Sequence, residues 1–193
     1  MSVENAVPAD PARSPSRKAR ILIVEDEASD AEIAQRLLTR AGLGFTSVVV
    51  ATRESFISEL TAFRPDVILS DYHLPGFSGE AALKIALDQC PNVPFVFWSG
   101  VLGDDAAVEL IRQGATDYVL KDRPARLPSV IHRALAEAEQ RAHLAQLEDQ
   151  LARAQRLASL GQLAAAEEAM SLTRQLLAVA RQEVAAAEPG GMP

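Results

Sequence analysis

Two acidic residues, Glu25 and Asp26, directly follow the apolar run Ile21-Leu22-Ile23-Val24, and Asp71 stands just beyond a second run, Val67-Ile68-Leu69. Ser99 closes a third run beginning at Phe95, and Lys121 closes a fourth, Tyr118-Val119-Leu120. If these runs lie side by side, three carboxylates, a hydroxyl and an ammonium meet at one edge. Clustered carboxylates repel one another, so such a site needs a cation to stay ionised. An all-oxygen donor set favours a hard divalent ion, Mg²⁺ with several retained waters. That ion would screen Asp71 as it attacks a phosphoryl group, and afterwards bridge carboxylate and phosphoryl oxygens. Lys121 offers a compact positive charge to a further phosphoryl oxygen, and Ser99 a hydroxyl hydrogen bond to another. The chemistry expected is phosphoryl transfer to a carboxylate, in which positioning and charge neutralisation do most of the catalysis.

The elements that must position these groups follow from periodicity. Ile21-Leu22-Ile23-Val24 is a continuous apolar run of the kind found in strands buried on both faces of a parallel sheet. Ser29 to Ala41 has helical spacing at Ile33, Leu37 and Leu38, and stops at Gly42. The alternation repeats: strand at Phe45–Val50, helix at Thr52–Phe63, strand at Val67–Leu69, helix at Ser78–Leu87. It continues with a strand at Phe95–Phe97, a helix at Asp104–Gln113 and a strand at Tyr118–Leu120. Five strands alternating with helices predict an α/β fold, a doubly wound five-stranded parallel sheet with helices on both faces. Sites in such sheets lie outside the carboxyl ends of the strands, where Glu25, Asp26, Asp71, Ser99 and Lys121 stand.

The ordered set of motifs resembles the receiver domain of two-component response regulators, over Ile21 to about Ala138. The acid-pair strand is Ile21 to Asp26. The phosphoacceptor loop is Asp71-Tyr72-His73-Leu74-Pro75-Gly76-Phe77-Ser78-Gly79. Trp98-Ser99-Gly100 matches the hydroxyl element, and Tyr118-Val119-Leu120-Lys121 the aromatic and lysine element. The resemblance implies a flavodoxin-like fold and Asp71 as metal ligand, nucleophile and phosphorylation site. It implies Asp26 as a direct Mg²⁺ ligand, Glu25 acting through water, and the His73 backbone carbonyl as the third protein ligand. It also implies a switch, in which Ser99 moves toward the phosphoryl group and Tyr118 moves inward. The face formed by the fourth helix, fifth strand and fifth helix would then be reshaped, a population shift driven by one local charge change. Tyr118 as plain edge-strand packing is the rival reading. One departure stands out: the family follows its lysine with proline, whereas Asp122 follows Lys121 and proline waits until Pro124. A cis bond costs about 2.5–4 kcal/mol before a non-proline residue, so both a trans bond and a strained cis bond stay open at this point.

From Pro128 the composition turns to Ala, Leu, Glu, Gln and Arg until Pro189, which is long-helix composition. Leu144, Leu147, Leu151, Ala154 and Ala158 form a narrow apolar seam of coiled-coil spacing. Leu147 to Ala164, and again Ser171 to Val184, resemble parts of the dimerisation hairpin of sensor histidine kinases. No histidine follows Gly161, however, so the segment lacks that family's phosphoacceptor. Without it, and without a glycine-rich nucleotide site, the segment cannot act as a kinase. Strong helix propensity across Ala164–Met170 disfavours a turn, and one helix is expected from about Arg126 to about Ala187, with Gly161 as a possible interruption. The expected organisation is a disordered leader at 1–19, the receiver at 20–125, the helix at 126–187 and a disordered tail at 188–193.

The function expected is a phosphorelay response regulator that takes its phosphoryl group from a sensor histidine kinase or a histidine phosphotransfer protein. Output would run through protein contacts and a homodimer built on the C-terminal helix. No enzymatic activity is expected beyond Mg²⁺-dependent self-phosphorylation and autodephosphorylation at Asp71. The alternative is a kinase mimic, acting as scaffold or inhibitor, with phosphorylation secondary. A net charge of −7 and the lack of a helix-turn-helix pattern argue against nucleic-acid binding. With 193 residues, 48% of them hydrophobic, the chain can bury a core yet has no run approaching the roughly 18–20 apolar residues of a membrane span. A soluble cytoplasmic protein is expected. Cys90, the single cysteine, reads as a small apolar filler. Trp98 is expected partly exposed beside the site, and the imidazoles of His73, His132 and His143 structural or solvent-facing.

Overall fold

A computed structural model describes residues 18–100 and 104–187. The expectations for the leader up to residue 17 and for the tail at 188–193 lie outside the described residues. The element order is β1 (Ala19–Val24), α1 (Ala28–Arg40), β2 (Phe45–Val50), α2 (Arg53–Ala62) and β3 (Val67–Ser70). A short ribbon follows, β4 (His73–Leu74) and β5 (Phe77–Ser78), then α3 (Gly79–Gln89), β6 (Phe95–Ser99) and α4 (Asp104–Arg112). The chain continues with β7 (Asp117–Leu120), a 3₁₀ turn at Pro124–Arg126 and the long helix α5 (Leu127–Ala187). Helical secondary structure is unbroken through Gly161. Among the described residues no helix is long and apolar enough to cross a membrane.

The five main strands pair in parallel, in the order β2-β1-β3-β6-β7. This is the doubly wound sheet expected from the alternating pattern, with two strands outside the expectation. β4 and β5 pair antiparallel across a two-residue turn, where Pro75 presets one φ and Gly76 takes φ +72°. Successive residues of β1 feed opposite faces of the sheet. Ile21 and Ile23 pack with Ala31, Ala34 and Leu38 of α1 and with Leu127, Val130 and Ile131 of α5. Leu22 and Val24 pack with Phe56 of α2, Leu83 of α3 and Leu110 of α4. Both faces are therefore covered, which is why β1, β3 and β6 read as continuous apolar runs.

The chain divides into two compact units, one ending at Gln140 and one beginning at Arg141. Leu127, Val130, Ile131, Ala134 and Leu135 recur at three- and four-residue spacing and are buried, so the first turns of α5 belong to the core of the first unit. That carries the first unit past the boundary expected at residue 125. In the second unit Leu144, Leu147, Leu151 and Leu157 are 46–70% exposed.

Candidate functional site

The sheet register brings the carboxyl ends of β1, β3, β6 and β7 together. The Asp71 amide donates to the Val24 carbonyl (2.8 Å), which pins the first residue after β3 beside the end of β1. The Lys121 amide donates to the Ser99 carbonyl (2.8 Å), which does the same for β7 and β6. The Lys121 side chain then crosses to the acids: Nζ lies 2.8 Å from Glu25 Oε2, 2.6 Å from Asp30 Oδ2 and 2.7 Å from Asp71 Oδ2. An ammonium has three N–H donors, and each is taken by a carboxylate. The other oxygen of Asp71 accepts from the backbone amides of Tyr72 and His73, and Glu25 Oε1 accepts from the Glu27 amide (3.3 Å).

Carboxylate oxygens of Glu25, Asp26 and Asp71 lie within 4.8 Å of one another. Four acids counting Asp30 face one lysine, so the pocket carries excess negative charge. A hard divalent cation fits a donor set of this kind, since carboxylate oxygens are its preferred ligands and this many acids cannot cheaply remain ionised alone. Glu25 is 3% exposed. Burial pushes its pKa up, and the hydrogen bond and charge of Lys121 oppose that rise. For Lys121 burial acts to lower the pKa, but the carboxylates of Asp30, Asp71 and Glu25 outweigh it and hold the ammonium above its ordinary range.

Ser99 is 2% exposed, and its Oγ is buried without a hydrogen-bond partner among the described residues. A buried hydroxyl without a partner costs roughly 1–3 kcal/mol, a deficit that an incoming acceptor oxygen would relieve. Tyr118 is half-buried at the edge of the core, and Asp117 Oδ1 accepts from its amide (2.7 Å). The His73 ring is exposed and meets Tyr72 edge-on at 4.8 Å. The backbone of His73 reaches the site through its amide, 3.3 Å from Asp71 Oδ1. The Lys121–Asp122 peptide is trans, as are all others in the described residues.

Trp98 corrects the expectation of partial exposure. It is 2% exposed and belongs to the core cluster containing α1 and the start of α5. Strand alternation points Trp98 and Ser99 to opposite faces, and in a sheet covered on both sides both faces are interior. One group that matters went unread in the sequence, and another was read only as the end of a motif. Asp30 is the third partner of Lys121; its signal was an acid in the first turn of the helix that follows the acid pair, where side chains lean back toward the strand ends. Gly79 is the other. A Cβ there would lie 2.5 Å from the Asp71 carbonyl oxygen and 2.8 Å from the Phe97 ring, so α3 can start against the loop after Asp71 only because this residue has no side chain.

Comparison with known proteins matches residues 21–132 to the family described as "Response regulator receiver domain". The chain is 37% identical over 99 residues to the DNA-binding transcriptional regulator NtrC of Klebsiella pneumoniae, covering 51% of this chain and 21% of that protein. It is 33% identical over 117 residues to the regulatory protein LuxO of Vibrio cholerae, covering 60% of this chain and 25% of LuxO. The chain thus spans about a quarter or less of the length of these relatives. Among solved structures, NtrX from Brucella abortus superposes with a TM-score of 0.62 at 28% identity, over 68% of this chain and 30% of that one. The signal receiver domain of a Luxo repressor protein from Vibrio parahaemolyticus gives 0.61 at 25% identity, over 66% of this chain and 98% of that one. A five-stranded parallel sheet, an acid cluster and a lysine at its strand ends, and a family match over more than half of the chain agree: this protein belongs to the response regulator receiver domain family.

Proposed function

We propose that the first unit is a phosphoryl-accepting switch in which Asp71 is the nucleophile. The observation that carries this reading is the convergence of Glu25, Asp26, Asp71 and Lys121 at adjacent strand ends, within one cluster of ion-pairing and ligand distances. Mg²⁺ would be held by Glu25, Asp26, Asp71 and the His73 backbone carbonyl, and would supply charge neutralisation for the transferring phosphoryl group. An oxygen of Asp71 attacks the phosphorus of a phosphohistidine. An O–P bond forms, the N–P bond breaks, and the electron pair returns to the imidazole nitrogen, which takes up a proton. Lys121 gives up its bond to Asp71 Oδ2 in favour of a phosphoryl oxygen, and the hydroxyl of Ser99 gains the acceptor it lacks. Tyr118, which pairs with Phe97 two residues before Ser99, is assigned the follower in the switch. No catalytic activity beyond self-phosphorylation and autodephosphorylation at Asp71 is assigned.

The donor class is a sensor histidine kinase or a histidine phosphotransfer protein, as membership of the family implies. For output we propose protein contact and homodimerisation through the second unit, whose leucines at coiled-coil spacing are exposed. The DNA-binding relative is matched over only about a fifth of its length, and the net charge of −7 supports an output other than nucleic acid. The test is labelling by a phosphorylated kinase, or by acetyl phosphate with Mg²⁺, read by intact mass. The wild-type chain should gain one phosphoryl group and Asp71→Asn none; labelling that persists in Asp71→Asn overturns the assignment. Truncation after about Ala142 addresses the rival, a kinase mimic acting through the helix. A truncated chain that still regulates the kinase removes that rival.

A further inference from the structure

We propose that Asp30 is a resident anion that competes with the phosphoryl group for Lys121 and so limits how firmly the site holds it. The inference rests on the phosphoacceptor reading of Asp71. Its starting point is the three-way division of the Lys121 ammonium, in which the bond to Asp30 Oδ2, at 2.6 Å, is the shortest. Asp30 differs from its two co-partners in kind. Glu25 and Asp71 belong to the set of acids whose oxygens converge within metal-binding reach, and Asp30 is outside that set. A cation entering the cluster therefore draws on Glu25 and Asp71 and leaves the Asp30–Lys121 pair intact. The lysine would meet an incoming phosphoryl group already half-neutralised.

The sign of the effect follows from charge. Two anions bonded to one ammonium sit about 4–5 Å apart. At an effective dielectric of about 20, unit like charges at that separation cost a few hundredfold in affinity before solvent screening. The Asp30 side chain is 30% exposed, and screening there cuts the expectation to about tenfold. The opposing effect, loss of one of the bonds that orient the lysine, is smaller, because the Lys121 backbone stays pinned to β6 by its amide bond to the Ser99 carbonyl. For Mg²⁺ the sign reverses, since Asp30 adds attraction for a cation. One residue thus acts in opposite directions on the two components of the phosphorylated state.

The test uses the full chain and compares Asp30→Asn and Asp30→Glu with the wild type by titration calorimetry. The probes are Mg²⁺ alone, then beryllofluoride at saturating Mg²⁺. Asp30→Asn should bind Mg²⁺ several-fold more weakly and beryllofluoride about tenfold more tightly, and its phosphoryl group from acetyl phosphate should persist longer. Asp30→Glu, which restores the charge, should return both affinities toward wild type. A residue that only supports the fold would weaken both ligands together. Unchanged or weaker beryllofluoride binding in Asp30→Asn, with normal wild-type binding, overturns the inference alone. If the wild type itself fails to bind beryllofluoride, or Asp71→Asn binds it equally well, the phosphoacceptor reading falls and takes this inference with it.

Discussion

The two units of this chain use the same kind of apolar residue to opposite ends. In the first unit Leu22, Leu69 and Val96 are fully buried, each fixed by a strand register and by helices on both faces. In the second unit Leu144, Leu147 and Leu151 recur at regular helical spacing and stay exposed. Burial against the same chain specifies one structure and one site. A periodic seam without such cover specifies only a helix face, and what it means depends on whatever covers it. The difference teaches that substitutions in the two units should act separately, which makes the comparison testable.

The largest effect is expected where packing is tightest. Leu69→Ala, in the central strand two residues before Asp71, should cost about 2–5 kcal/mol in urea unfolding of the chain. Gly79→Ala should cost about 1–3 kcal/mol by overpacking rather than by a cavity, and should slow labelling at Asp71 because the added Cβ presses on that residue's carbonyl. Glu25→Gln sharpens the comparison through charge. Because burial raises the Glu25 pKa, the folded chain holds that proton more tightly than the unfolded one. The metal-free protein should therefore gain stability as pH falls through the raised value toward 4.5, and lose it again as pH rises. In Glu25→Gln this portion of the pH dependence should vanish, the metal-free protein should be more stable at neutral pH, and Mg²⁺ binding should weaken. A steeper pH dependence in the variant would contradict the burial argument. The smallest expected change in stability is Leu151→Ala, within about 0.5 kcal/mol for the monomer. The same substitution should lower the mass measured by light scattering if the seam joins two copies. A cost of several kcal/mol in a monomeric chain would break the contrast between the units.

Much of the first unit was legible because parallel strands covered on both faces leave unmistakable apolar runs, and the polar residue that ends each run falls at one edge. Glu25, Asp26, Asp71, Ser99 and Lys121 could be placed that way. Asp30 could not, since an acid in the first turn of a helix has an ordinary use against the helix dipole and only the path of the Lys121 side chain reveals another. Nor could the limit of the first unit be read. Leu127, Val130 and Ala134 carry the same three- and four-residue spacing as Leu144, Leu147 and Leu151, and periodicity is blind to whether a stripe is covered. The β4–β5 ribbon escaped because two residues per strand are too few for an alternation to register.

The buried indole of Trp98 has an optical consequence. It is the only tryptophan in the chain, so intrinsic fluorescence excited at the red edge comes from one place, one residue before Ser99. In an apolar cage its emission lies to the blue, out of reach of iodide and other aqueous quenchers, until the chain unfolds. Its ring faces the layer of α1 and the start of α5, whereas Ser99 lies on the other side of the sheet, and α1 also carries Asp30, a partner of Lys121. A spectral change on phosphorylation would then report movement of β6 or of the α1 layer packed against it.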